Sequence, residues 1–260
     1  MSRFLVTGAT GFIGSAIVRN LRRDGREVIA PGSRELDLLS ASAEELSEAV
    51  ERSGASHCIH AAWYTNHADY LVHEINRDWL AASLRLAGAC RNIRFIGLGT
   101  CLEHDETPAT LYAESKRDLF ETLSGDFAWA RVFFVYGPGD RAGRLISGML
   151  ERFARGEHAV PNFGGLRRDY IHVDDLAEQI VQIANSNLRG PIDVGTGEAP
   201  TLSEIFAAGA AAFGQPELAE ANNETGDQPL LIQADMNRFR AFIGDPNART
   251  IEQGLRGLVG

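Results

Sequence analysis

Arg3-Phe4-Leu5-Val6-Thr7-Gly8-Ala9-Thr10-Gly11-Phe12-Ile13-Gly14-Ser15-Ala16-Ile17-Val18-Arg19-Asn20-Leu21 decides the fold. Its first five residues form an apolar run of strand type, and its last seven carry apolar residues at helical spacing. Between them lie Gly8, Gly11 and Gly14. Strand, glycine-rich turn and helix together form a phosphate cradle. Gly8 and Gly11 let the backbone turn sharply and approach a pyrophosphate, and Gly14 lets helix and strand pack closely. The helix N-terminus adds N–H donors and partial positive charge, which makes Thr10, Phe12 and Ile13 candidate contacts. The spacing is Gly-x-x-Gly-x-x-Gly rather than the commoner Gly-x-Gly-x-x-Gly. A tight turn without a ligand is the alternative.

Outward from this unit, strands and helices alternate. Glu27-Val28-Ile29-Ala30 reads as a second strand, 43–52 as a helix and His57-Cys58-Ile59-His60-Ala61-Ala62 as a third strand. A helix over 72–89, a strand Ile93-Arg94-Phe95-Ile96-Gly97-Leu98, a helix over 112–123 and a fifth strand over 128–134 follow. This alternation predicts an α/β fold with a parallel sheet covered on both faces. Ligands in such sheets bind beyond the carboxyl ends of the strands. The glycine turn, Ala61-Ala62, Thr100 and Phe134-Val135 are therefore expected to line one cleft. Further on, the pattern gives a helix over 145–155, a strand over 168–173 entering a helix at Asp174-Asp175, a short strand over 192–194 and a helix over 202–213. A polar stretch, 215–228, follows.

The chain has 260 residues, enough for a substantial core in one domain or one domain with a small lobe. Its net charge of −10 argues against a nucleic-acid surface as the main partner. Cys58, Cys90 and Cys101 are scattered, and the histidines show no ligand spacing, so neither a disulfide framework nor a metal site is expected. The chain opens into a strand and has no apolar run long enough to span a bilayer, so a cytoplasmic protein without membrane contact is expected.

Tyr112-Ala113-Glu114-Ser115-Lys116 carries the chemistry. Residues four apart lie on one helix face, so the Lys116 ammonium is expected near the Tyr112 phenol, lowering its pKa. A tyrosine so tuned exchanges a proton with a carbonyl or alcohol oxygen near neutral pH. A partly buried ring beside a solvated lysine is the plain alternative.

Taken together, Gly8-x-x-Gly11-x-x-Gly14, Thr100, Tyr112-x-x-x-Lys116, Val135-Tyr136-Gly137-Pro138-Gly139 and Arg168-Asp169-Tyr170-Ile171-His172-Val173-Asp174-Asp175 resemble the extended short-chain dehydrogenase/reductase family, with Val194-Gly195-Thr196-Gly197 a weaker match. The resemblance implies a Rossmann-type, doubly wound parallel sheet and a small C-terminal substrate-binding lobe. The cofactor domain would take 1–138 and 168–190, and the lobe 139–167 and 191–260. Tyr112 would be the general acid/base, Lys116 the ribose anchor and Thr100 the partner of the reacting oxygen. Ala61, Ala62, Trp63, Asn76 and Val135 would border the cofactor. Arg168 would clasp a substrate diphosphate, with Arg144 and Phe134 as further substrate contacts. A homodimer packed through the helices near 72–89 and 112–123 is implied by analogy.

Ser33 and Arg34 stand where an acid usually takes the ribose 2′-hydroxyl of NAD. They suit a 2′-phosphate, so NADP(H) is favoured over NAD(H). Asp37-Leu38 resembles the family's pair at the adenine edge, a capping aspartate being the alternative. Cys101-Leu102 follows Thr100 where dehydratases of the family carry an acidic pair, so dehydration is not expected. The stretches around residues 61–64, 99–103 and 131–137 look most like 4-ketoreductases of nucleotide-linked deoxysugars. An NAD-dependent 4-epimerase and a non-catalytic NADPH sensor are the alternatives. Three departures stand out. The eleven-residue connection from Thr100 to Tyr112 is short, Phe134 replaces a common asparagine, and His104 replaces a common tyrosine.

Overall fold

A computed structural model gives the structure, and it describes residues 2–104 and 109–259. The chain runs β1 (Arg3–Thr7), α1 (Phe12–Arg23), β2 (Glu27–Ile29), α2 (Ala43–Ser53), β3 (His57–His60), α3 (Ile75–Ala89), β4 (Arg94–Thr100), α4 (Leu111–Thr122) and β5 (Phe127–Val132). It continues with β6 (Phe134–Tyr136), α5 (Leu145–Ala154), β7 (Arg167–Arg168), β8 (Tyr170–His172), α6 (Val173–Asn185), β9 (Gly190–Val194), α7 (Leu202–Ala212), β10 (Leu231–Ile232), α8 (Asn237–Phe242) and α9 (Ile251–Val259).

One sheet has the order β2-β1-β3-β4-β5-β9, and β1/β2, β1/β3, β3/β4 and β4/β5 all pair in parallel. Because the chain leaves β1 first to one side and then to the other, the strand order reverses at β1, where doubly wound sheets bind ligands. All seven residues of β4 are buried, as expected of a parallel strand covered on both faces. Local signals fix the helix ends. Ser42 and Glu45 form a capping box on α2, and the Thr110 side chain accepts from the Ala113 N–H at the start of α4.

Contacts divide the chain into two units, 1–132 with 177–192, and 133–176 with 193–260. In the first, Arg94 at the start of β4 is a buried tie. Its guanidinium donates to the carbonyls of Ala184, Ile183 and Leu188 and to Asp126. It thereby supplies a donor to carbonyls at and just beyond the C-terminal end of α6, where the helix runs out of its own N–H groups.

Two expected strands are broken. The strand expected over 128–134 ends at Val132, and Phe134 and Val135 belong to β6, which pairs in parallel with β8 in a separate sheet. The strand expected over 168–173 is interrupted at Asp169. The reason is that Asp169 is a junction: its carbonyl accepts from the Phe134 N–H and its N–H donates to the Ile232 carbonyl. Its buried carboxylate accepts from Thr196 N–H, Thr196 Oγ1, Gly197 N–H and Ala234 N–H. Burial pushes this carboxyl up in pKa, and those donors pull it back down. Asp169 thus links the Arg168-Asp169 and Val194-Gly195-Thr196-Gly197 segments. A separate core of Tyr136, Met149, Phe153, Ile205, Phe206 and Leu255, among others, fills the second unit.

Replacing Arg94 with methionine removes the donor to the buried Ala184 and Leu188 carbonyls, while the Ile183 carbonyl keeps its bonds from Ser186. Urea unfolding of Arg94→Met is expected to show a loss of about 2–4 kcal/mol, with an unchanged far-ultraviolet spectrum in native buffer.

Candidate active site

The site builds outward from the turn after β1. Gly8 adopts a φ of +68°, and its N-terminal neighbour strand delivers it against the backbone of Ala61 and Ala62 at the end of β3. A Cβ on Gly14 would overlap the Gly8 carbonyl, so helix and strand pack at a distance only glycine allows. Thr10 and Gly11 are exposed, no side chain caps α1, and its first turn holds no acid. The turn therefore presents an open helix N-terminus, which fits the diphosphate of a dinucleotide.

Beyond β2, Ser33 and Arg34 are both exposed. The carboxylate of Glu35 turns back to accept from the Gly32 N–H at 2.9 Å. Asp37 caps its own turn, accepting from Leu39 N–H and Ser40 Oγ, while Leu38 lies in the core. Arg85 fastens this loop by donating to the Leu38, Leu39 and Ala41 carbonyls.

Thr100 ends β4 and Tyr112 lies in the first turn of α4. The Tyr112 phenol is hydrogen-bonded to the Thr100 side chain. Tyr70 and Trp63 meet the Tyr112 ring edge-on, at 5.2 and 6.3 Å between centroids. Tyr112 N–H also donates to the Leu71 carbonyl, which ties the start of α4 to the 63–74 loop.

Lys116 departs from the sequence expectation. Its Nζ runs down to β4 and donates to the Leu98 carbonyl at 2.7 Å, with the Trp63 ring 3.7 Å away. The Tyr112 ring centroid is 5.9 Å from it. Burial pushes Lys116 down to about 7, Glu103 opposing weakly. The phenol is not lowered. Burial, followed by Tyr70, Cys101 and Glu103, holds Tyr112 above its ordinary value, against the Thr100 hydrogen bond. The structure thus pairs a firmly protonated phenol with an amine that titrates near neutrality.

Asn76 acts one step back. Its Oδ1 accepts from Trp63 Nε1 at 2.8 Å, and its amide donates to the Tyr70 and His73 carbonyls. Its amide therefore positions Trp63. Beneath the site, His60 bridges Thr7 Oγ1 and Ser83 Oγ, and burial, helped by Lys116, takes its pKa down to about 3.

The remaining expected residues lie in the second unit. Arg168 is buried, and its guanidinium donates to the Arg167, Pro229 and Leu230 carbonyls and to Gln228. In this conformation its fork is turned to protein carbonyls rather than offered to a diphosphate. Phe134 packs against Tyr170 with the rings tilted, 5.3 Å between centroids, and Arg168 lies over its ring at 6.0 Å. Val135 lies in β6, and Arg144 starts α5 with an ion pair to Asp140. Of the short connection before Tyr112, 105–108 lie outside the described residues.

Sequence reading passed over Glu103, Trp129 and Arg131, which meet behind Thr100. The pattern Thr100-x-x-Glu103 was the available signal, being that of a capping box. Among the described residues, no group of His, Cys, Asp and Glu side chains could hold a metal, and no helix is long and apolar enough to cross a membrane.

Comparison with known proteins gives the family and the fold. The NAD dependent epimerase/dehydratase family matches residues 4–195. An ADP-L-glycero-D-manno-heptose-6-epimerase of Alkalilimnicola ehrlichii is 25% identical over 98% of this chain and 96% of its own length. A probable dTDP-4,6-dihydroxy-2-methyloxan-3-one 4-ketoreductase of Streptomyces antibioticus is 28% identical over 70% of this chain and 66% of its own. The solved UDP-glucose 4-epimerase of Thermus thermophilus, complexed with NAD, shares the fold with a TM-score of 0.78 at 24% identity, covering 99% of this chain and 97% of that one.

Because Lys116 sits below its unfolded pKa, the unfolded chain binds more protons between about 7 and 10.5. The cost of burying its charge is complete below pH 7 and fades as pH rises. Lys116→Met is therefore expected to exceed wild type in stability below pH 7, by up to about 4 kcal/mol, with the advantage shrinking toward pH 10. Urea midpoints across that range check the sign.

Proposed function

We propose that this chain, which belongs to the NAD dependent epimerase/dehydratase family, reduces the keto group of a nucleotide-linked deoxysugar, at C4 by the resemblance, with NADP(H). The observation that carries this reading is the meeting of the Tyr112 phenol with the Thr100 hydroxyl, beside the buried Lys116 amine one turn further along α4. A phenol hydrogen-bonded to a neighbouring hydroxyl is placed to give its proton to a ketone oxygen reduced beside it.

In this reading the Gly8–Gly14 turn and the first turn of α1 hold the dinucleotide's diphosphate. The nicotinamide, when bound, supplies hydride. Thr100 and Tyr112 direct two hydroxyls to one point, where the substrate oxygen gathers negative charge. Tyr112 passes its proton to that oxygen, and the Thr100 hydroxyl stabilises the phenolate left behind. Lys116, fixed between the Leu98 carbonyl and Trp63, is the candidate ribose anchor. Arg34 and Ser33 face solvent while Glu35 is turned back on Gly32, which supports a 2′-phosphate over a bare hydroxyl.

An epimerase is the second reading, favoured by the heptose epimerase among the relatives. It would retain NAD through purification and interconvert two alcohol epimers without consuming reductant. A binding protein without turnover is the third, and it would hold NADPH yet consume none with any keto-sugar.

Purified protein, NADPH and a 4-keto-6-deoxy nucleotide sugar, followed at the nicotinamide absorbance band, test the proposal. Consumption is expected, and Tyr112→Phe is expected to cut kcat by roughly 10²–10⁴ while leaving NADPH binding in place. Arg34→Ala is expected to weaken NADPH about tenfold and leave NADH unaffected. An equal loss for both would contradict the 2′-phosphate assignment.

A further inference from the structure

We propose that Glu103 is a positioning residue for proton transfer, clamping Thr100 from the strand side so that its hydroxyl meets the Tyr112 phenol. The inference rests on Tyr112 being the acid.

Glu103 closes the 3-10 turn that follows β4, and it is buried. Its Oε2 accepts from the Thr100 N–H at 3.2 Å, while Thr100 Oγ1 accepts from the Leu102 N–H at 3.3 Å. That reciprocal pair alone would be an ordinary cap. The other oxygen goes further. Oε1 accepts from Trp129 Nε1 at 2.6 Å and from Arg131 Nε at 2.9 Å, both on the neighbouring strand β5. An exposed cap needs no such partners. Gly99 makes the arrangement possible, because a Cβ there would overlap the Trp129 indole and press on Glu103 Oε2.

The turn bearing Thr100 is thus pinned to β5. Thr100 can keep its place although only eleven residues separate it from Tyr112. The carboxylate also strengthens the hold on a proton at both Tyr112 and Lys116. At Tyr112 it acts with burial, Tyr70 and Cys101, and against Thr100. Around Glu103 itself, Arg131 is the cation in direct contact, and Lys116 is a second one within reach of its charge.

The test is the pH profile of kcat for keto-sugar reduction in Glu103→Gln, with Tyr112→Phe as reference. Glutamine keeps the shape but turns an N–H toward a donor and removes the charge. NADPH affinity is expected to stay within about twofold while kcat falls roughly tenfold or more. The basic limb of the profile, where Tyr112 loses its proton, is expected to move to lower pH. Arg131→Met, which leaves the carboxylate without its cation, is expected to move the same limb to higher pH. It decides the matter if Glu103→Gln does not fold.

A kcat that is unchanged, or that falls with the limb unmoved, overturns the proposal. So does an Arg131→Met limb that stays in place or moves down. If Tyr112→Phe abolishes turnover while Glu103→Gln behaves like wild type, only the positioning claim falls. If Tyr112→Phe retains full activity, the reading of the site falls with it.

Discussion

A lysine amine buried against a backbone carbonyl is the constraint on which the rest of the site depends. Lys116 reaches from α4 to the Leu98 carbonyl of β4 and lies on the Trp63 ring. Burying an ammonium is costly, and the protein responds by letting the amine lose its proton near neutrality. The contact fixes the distance between α4 and the central strand. It also fixes where Tyr112, one turn earlier, places its phenol. Trp63 is held in turn by Asn76, whose amide ties together the carbonyls of Tyr70 and His73. One side-chain amide thereby ties together a loop without regular structure.

β4 organises both sides of this arrangement. Leu98 receives Lys116, Gly99 gives way to Trp129, and Thr100 carries the hydroxyl that meets Tyr112. Consecutive residues on a strand point to opposite faces. The strand can therefore use its backbone for the amine, an absent side chain for the indole and a hydroxyl for the phenol within three positions. Full burial of β4 keeps these placements fixed.

Most of the fold was legible because alternating strand and helix periods leave few topologies, and the glycine turn marks the first crossover. The family and its nicotinamide cofactor followed from motifs whose glycines have a steric reason. The breaks at Phe133 and Asp169 were not legible. Asp169 reads as one residue of a continuous apolar-flanked strand, and its role as a four-donor junction depends on residues 194–197 and 234 arriving from elsewhere. β10, α8 and α9 were equally hidden, since elements of two, six and nine residues show little periodicity. At the site, helix spacing correctly put Tyr112 and Lys116 on one face. It gave the wrong electrostatics, because spacing alone does not reveal that burial holds the phenol up and that the amine turns to the Leu98 carbonyl and Trp63. Asp37 resolved toward its local alternative, a turn cap.

The most direct measurement is a single turnover with NADPH deuterated at the transferring C4 position, a 4-keto-6-deoxy nucleotide sugar, and mass analysis of the sugar formed. One deuterium, on the former keto carbon and absent in Tyr112→Phe, is the result expected of a reductase whose tyrosine donates the proton. Keto-sugar recovered unreduced, with NADPH unconsumed, would contradict it.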